Sequence, residues 1–231
     1  DLSRQRSDSM ILATLDKDQK TISLTSFMRD LYVAIPGYSS TRINAAYAYG
    51  GMDLLDETLT QNFGVEIDGN VEVDFEVFQV LVDKVGGIDL ELTQAEADYI
   101  CGRDQSVLYP QPLRTDWDLQ EGMNHLDGEQ ALIHARNRSI GNSDYRRTER
   151  QQEVLMAAFE KVKDLSAFSI AGLVKDVLPL VTTDLSFTEI IGYAMDVMSI
   201  GTGDIATYRI PEDGAYTPQT ISGMQVLVPD L

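Results

Sequence analysis

The sequence predicts an α/β protein, a three-layer α/β/α sandwich around a central mixed β-sheet, and three observations carry that prediction. Strand-like and helix-like periodicities alternate over most of the 231 residues, the pattern of a sheet covered by helices. Hydrophobic residues make up 43% of the chain, enough for a sizeable core. No run of 18 or more apolar residues interrupts the pattern, so the chain as given reads as soluble. One domain is expected over residues 1–231.

Residues 9–16 (SMILATLD) and 20–27 (KTISLTSF) are β-rich runs joined by the polar turn KDQ, which predicts neighbouring strands. Residues 43–63 break at Gly50–Gly51 and then place Met52, Leu55, Leu59 and Phe63 at the spacing of an amphipathic helix. VEVDF (71–75) reads as a short strand, 75–87 as a helix stopped by Gly86 and Gly87, and IDLEL (88–92) as a strand. Residues 101–122, with Gly102, Pro110, Pro112 and Gly122, read as a long loop or insertion. Asp127 is placed to cap a helix over 127–138. A longer helix is expected from about Tyr145 to Asp164, with Val154, Leu155, Ala158, Phe159 and Val162 as its buried stripe. Two further helical segments (170–181 and 187–200) and two closing strands (205–211 and 224–230) complete the chain.

The balance of 37 acidic against 18 basic residues gives a formal net charge of -19, which repels polyanions and excludes nucleic acid as a general partner. A local group of guanidinium ions can still dominate within about 8 to 10 Å. Cys101 is the only cysteine, so no internal disulfide and no cysteine-based zinc site is expected. Motifs for a nucleophile elbow, a zinc protease, a P-loop and a dinucleotide fold are absent. His134, inside a helix, and His125, in a glycine-flanked loop, read as ordinary structural or surface histidines.

Against that acidic background, ARNRSIGNSDYRRTERQQ (135–152) holds five arginines in eighteen residues. Ser143 or Asp144 would cap the helix beginning near Tyr145, which puts Arg146, Arg147 and Arg150 in its first two turns. The positive end of the helix dipole disfavours cations there by a few tenths to about 1 kcal/mol each. Salt bridges to Glu149 and Asp144 offset part of this, and an anionic ligand would offset it too; a helix N-terminus with guanidinium forks is a strong phosphate site. Arg147 leads the row Gln151, Val154, Ala158 and so points inward. Arg136 and Arg138 close the preceding helix, where cations are favourable. Spacing alone leaves both readings open.

A second group comes from QRSDSM and TSFMRDLYV. Asp8 precedes one strand while Arg29 and Asp30 follow the next, so antiparallel pairing would bring them to one end of the sheet. They make either a surface ion pair or a carboxylate that holds a divalent cation, or takes a proton, beside an arginine that grips phosphate.

Taken in order, these segments resemble the LytR-CpsA-Psr phosphotransferases of bacterial cell-wall assembly. RSDSMIL resembles the family's Arg-Ser-Asp strand start, SFMRDLYVAIPGY its S-x-P-R-D segment and RINAAYAYGG its K-I-N-A-A-Y-x-x-G-G segment. VDFEVFQVLVDKVGGIDLEL, LQEGMNHLDGEQALIHARNRS and SDYRRTERQQEVL continue the series, the last resembling D-x-G-R-x-x-R-Q. The matches span about residues 4–165, and 166–231 is expected to pack on the same domain. Met28 stands where the family usually has proline, Arg146 where it has glycine, and His134 where an aromatic is common. The family's first strand, followed by an acidic metal ligand, is not found in residues 1–5.

The resemblance implies an extracytoplasmic domain at the membrane surface of a Gram-positive bacterium, carried on an upstream membrane helix absent from this chain. Its implied activity is transfer of a glycan phosphate from a polyprenyl-pyrophosphate carrier to peptidoglycan, giving wall teichoic acid, capsule or related polymers. It further implies that Arg29, Arg138 and Arg147 bind the pyrophosphate with Arg136 and Arg150 beside them. Asp8 and Asp30 match acidic positions of the site, Asp8 with a magnesium (or manganese) or general-base role. The arginine stretch is then half of a diphosphate clamp that Asp8 and Arg29 complete. A pyrophosphatase and a non-catalytic lipid-phosphate or glycan-binding module are the rival expectations.

Overall fold

A computed structural model describes residues 6–141, 143–163, 165–201 and 205–230, Ser143 by its backbone only. In chain order the elements are β1 (Ile11–Asp16), β2 (Thr21–Phe27), β3 (Tyr32–Val33), β4 (Thr41–Arg42), α1 (Asn44–Phe63), β5 (Val71–Glu72), α2 (Phe75–Lys84), β6 (Ile88–Leu92), α3 (Gln94–Ile100), β7 (Gly122–Leu126), α4 (Gly128–Arg136), α5 (Ser143–Val162), α6 (Ala167–Val177), β8 (Thr182–Thr183), α7 (Phe187–Ile200), β9 (Ile205–Ile210), β10 (Tyr216–Ile221) and β11 (Met224–Pro229). The α/β class stands. Contacts gather into two units, Asp1–Asn70 with Ile205–Leu231 and Val71–Asp204.

In the first unit, Ile22, Leu24 and Ser26 alternate inward along β2, as a half-buried strand requires. Asp16 closes the turn behind it by accepting the amides of Asp18 and Gln19. β1 pairs antiparallel with β2, Ile11 opposite Ser26 and Asp16 opposite Thr21, while β9 pairs parallel on the other side with Ile205 opposite Ile22. The sheet is therefore mixed, and the last thirty residues of the chain complete what the first thirty begin. The register leaves the start of β1 and the end of β2 side by side, tied by the Phe27 amide to the Met10 carbonyl at 2.9 Å. The expected glycine break in α1 is a kink at Gly51, whose φ of 72° side chains rarely adopt. Phe27, Leu31, Val33, Ile35, Ile43 and Leu59 form this unit's core.

The second unit corrects several expectations. Only Val71–Glu72 of VEVDF is strand, because Asp74 turns the chain into α2 by accepting the Val77 amide as an N-cap. T-Q-A-E at 93–96 was passed over in the sequence, yet it is a full capping box that starts α3. His125 lies in β7, paired antiparallel with β6, and not in a loop. In the first unit, Tyr216–Ile221 is a strand that the sequence pattern did not announce; it pairs with β11. Asp127 caps α4 in a second capping box, as expected. On α5, Val154 and Ala157 are buried while Leu155, Ala158, Phe159 and Val162 are half-buried, so the stripe is rotated from the expected one. The core gathers Ile88, Leu92, Ile100, Leu126 and Val154 from α3, α5, β6 and β7. Residues 101–121 are the expected long connection, strapped at its base where the Arg114 amide donates to the Cys101 carbonyl at 2.8 Å.

Candidate functional site

In the first unit the antiparallel register delivers what the sequence suggested. Asp8 ahead of β1 and Arg29 beyond β2 meet, Nη1 to Oδ1 at 2.8 Å. Asp30 sits between Arg29 Nε at 3.7 Å and Arg42 Nε at 3.1 Å. Sequence reasoning missed Arg42, although it occupies the basic position of the RINAAY segment. Its guanidinium is held by the Gln225 carbonyl at 3.0 Å, and the Leu227 amide holds the Asp30 carbonyl at 2.9 Å, so β11 braces the group. The Arg29 Nε is buried without a hydrogen-bond partner among the described residues.

For a divalent cation the fit is narrow. Among the described residues no three His, Cys, Asp or Glu side chains gather as a metal cluster. Magnesium needs only one or two carboxylates when phosphate oxygens and water fill the rest of its shell. Asp30 lies in ion pairs with two guanidinium groups and its buried Oδ1 has no hydrogen-bond partner among the described residues, whereas the Asp8 side chain is 57% exposed and can turn to solvent and a ligand, so Asp8 fits that single-carboxylate role. The family's upstream acidic ligand would precede Arg6 and is not found in residues 1–5, which lie outside the described residues.

In the second unit α4 and α5 present the remaining arginines. Asp144, in the first turn of α5, lies 3.2 Å from Arg147 Nη2 and 3.8 Å from Arg138 Nε, one carboxylate between two cations. Arg147 points inward as its row predicted and is 6% exposed. Its Nε and Nη1 are buried with no hydrogen-bond partner among the described residues. A buried charge left short of hydrogen bonds is costly, so this geometry calls for an acceptor. Open N–H donors on a charge-delocalised guanidinium suit a phosphate or carboxylate.

Arg150, one helical step away, is placed differently from the expectation of a ligand-binding residue. It is 1% exposed and fully engaged: Nε donates to Glu96 Oε1 at 2.9 Å, Nη1 to the Asn137 carbonyl at 3.1 Å and Nη2 to the Ile140 carbonyl at 3.0 Å. Burial alone would raise the Glu96 carboxyl, but hydrogen bonds from the Thr93 backbone and hydroxyl and from Arg150 outweigh it and hold it below its ordinary range. Arg146 is also spoken for, by Glu149 with Glu96 at 3.7 Å and Glu153 at 3.9 Å, and Glu149 raises its pKa further. Arg136 is exposed and lies over the Phe75 ring at 4.1 Å. Of the four arginines besides Arg147, Arg138 is therefore the one that lies with Arg147 on Asp144.

Neither histidine joins these groups. His134 is buried beside Glu153 at 3.4 Å, and His125 Nδ1 lies 2.7 Å from the Asp89 carboxylate, which accepts from it and from Lys161.

Comparison with known proteins sets these groups in context. The LytR_cpsA_psr family model matches residues 2–230. The chain is 30% identical to the polyisoprenyl-teichoic acid–peptidoglycan teichoic acid transferase TagT of Bacillus subtilis (strain 168), over 91% of this chain and 64% of that protein. It is 34% identical to the transferase TagU of Enterococcus faecalis (strain ATCC 700802 / V583), over 84% and 60%, and 29% identical to the regulatory protein MsrR of Staphylococcus aureus (strain COL), over 92% and 62%. The chain thus spans less than two thirds of the length of these relatives. Among solved structures, B. subtilis TagV superposes with a TM-score of 0.78 at 29% identity, over 98% of this chain and 84% of that one. TagT with bound octaprenyl pyrophosphate lipid gives 0.74 at 25% identity, over 97% and 78%.

Proposed function

The chain belongs to the LytR_cpsA_psr family, and from that premise we propose that it transfers a glycopolymer phosphate from a polyprenyl-pyrophosphate-linked donor to a peptidoglycan acceptor. The observation that carries the reading is Arg147, a buried guanidinium at the start of α5 whose Nε and Nη1 have no hydrogen-bond partner among the described residues. An anionic ligand resolves both that shortfall and the cost of placing cations at a helix N-terminus. Support also comes from the relatives named as teichoic acid transferases and from the related structure titled with a bound octaprenyl pyrophosphate.

In the reaction an acceptor hydroxyl oxygen bonds to the glycan-bearing phosphorus. The bond from that phosphorus to the bridging oxygen breaks, and polyprenyl phosphate leaves with the electron pair. Arg138 and Arg147 bind phosphate oxygens, so the spreading negative charge meets fixed positive groups; for Arg29 a phosphate-binding role rests on its match to the family's S-x-P-R-D segment. Asp8 takes the acceptor proton or holds a magnesium or manganese ion. Such an ion would add charge neutralisation at the donor's phosphates. No helix among the described residues is long and apolar enough to cross a membrane. The reading places the domain outside the cytoplasm of a Gram-positive cell, tethered by a membrane helix beyond this chain.

The test is transfer of labelled glycan from a polyprenyl-pyrophosphate donor onto peptidoglycan, with magnesium and with chelator. Magnesium-dependent transfer supports the proposal. Release of glycan phosphate to water, with or without acceptor, would make the protein a pyrophosphatase, and binding without turnover would make it a binding module. The same assay with Asp8→Asn separates the roles of Asp8: a shifted magnesium requirement marks the metal ligand, an unshifted requirement with lost rate marks the base.

A further inference from the structure

We propose that Arg150 and Glu96 are positioning residues that hold the turn carrying Arg138 rigid in the ligand-free protein, and that Arg150 does not touch the donor. The inference rests on the reading that Arg138 and Arg147 bind the donor's phosphates.

Residues 137–140 connect α4 to the segment before α5, and Arg138 lies inside that turn. The turn is closed from within by buried Asn137, whose Oδ1 accepts the amides of Ser139 at 2.9 Å and Ile140 at 3.2 Å. It is closed from beneath by Arg150, whose two terminal nitrogens bind the carbonyls of Asn137 and Ile140, the residues that bracket Arg138 and Ser139. Glu96 fixes the fork in turn. Its Oε1 accepts from Arg150 Nε, while its Oε2 is held by the Thr93 amide and hydroxyl in the capping box of α3. A third tie reaches the same turn from the 101–121 connection, where the Tyr109 amide donates to Ser139 Oγ at 3.2 Å.

The chemistry of this chain of contacts is that of a support. Three of the guanidinium's directions are spent on protein acceptors, and 1% exposure leaves Arg150 no face to offer a diphosphate. A planar guanidinium reaches two carbonyls and a carboxylate from three separate nitrogens; an ammonium has its three donors on a single nitrogen and lacks that span. The cationic charge serves to satisfy Glu96, whose side chain is 5% exposed. A binding arginine placed within a short turn needs such bracing, since misplacing a phosphate contact by about 1 Å costs on the order of a hundredfold in rate.

Arg150→Lys in the full chain is the informative variant, because lysine keeps the charge beside Glu96 but loses the double carbonyl bridge. Two quantities are measured: amide hydrogen exchange of Ser139 and Ile140 without ligand, and affinity for octaprenyl pyrophosphate. The expected result is exchange about tenfold faster and affinity about tenfold weaker, the size of one lost charge-assisted hydrogen bond. Weakened binding with unchanged exchange would make Arg150 a direct contact, and faster exchange with unchanged binding would show that the turn does not serve the donor; either overturns the proposal. If Arg150→Lys does not fold, Glu96→Gln, which keeps the capping hydrogen bonds, is read by the same two measurements. Absence of binding by the unaltered protein would instead sink the functional reading itself, and is told apart by that control.

Discussion

The two sides of the α5 arginine cluster are buried alike and wired differently. On the Glu96 side, Arg150 has a carboxylate and two carbonyls within 3.1 Å. On the Asp144 side, Arg147 shares one carboxylate with Arg138 and keeps two nitrogens without hydrogen bonds among the described residues. Folding explains the first arginine completely. The second is arranged at a cost that folding alone does not recover, and a site that is costly until filled is a site for a ligand.

The strongest way to break that contrast is to truncate each arginine and compare stability. Arg150→Ala strands Glu96 in the interior and should cost about 3–5 kcal/mol in chemical denaturation. Arg147→Ala removes an under-satisfied charge and should cost about 1 kcal/mol or less. Equal losses would erase the distinction between support and site. Acid provides a second probe of the support. The Glu96 carboxyl is held below its ordinary value of 4.5, so its contribution is full above that value and is lost as pH falls through the lower folded-state value. Glu96→Gln should flatten the pH dependence of stability below about pH 4.5. A smaller stability effect is expected in the first unit: Arg29→Ala breaks a partly exposed pair with Asp8 and should cost about 0–1 kcal/mol while donor binding falls sharply. Smallest of all, Asp89→Asn loosens the surface group with Lys161 and His125, whose hydrogen bonds lower the Asp89 carboxyl, and should leave donor binding unchanged.

How much of this the sequence revealed depended on the range of each interaction. Local patterns were readable: the inward row of Arg147, the glycine kink of α1, the Asp127 cap, and the antiparallel pair that joins Asp8 to Arg29. The role of Arg150 was hidden because its carboxylate lies 54 residues upstream, and nothing in R-x-x-R tells a ligand-binding arginine from a braced one. Glu96 itself was signalled by T-Q-A-E, but a helix of 7 residues shows too little periodicity to draw notice. β10 carries Pro218 and Gln219 and is exposed from Thr217 to Thr220, so no buried face of this strand imposes alternation. The Asp30–Arg42 pair was equally out of reach, being set by tertiary packing against β11.

The most direct test of the central claim is the affinity of octaprenyl pyrophosphate for the unaltered protein and for Arg147→Ala, measured on folded samples at the same ionic strength. If the open nitrogens of Arg147 receive the donor's phosphate, the variant binds about a hundredfold more weakly or worse, as expected when one partner of a buried charged contact is removed. Affinity unchanged by the substitution would contradict the account.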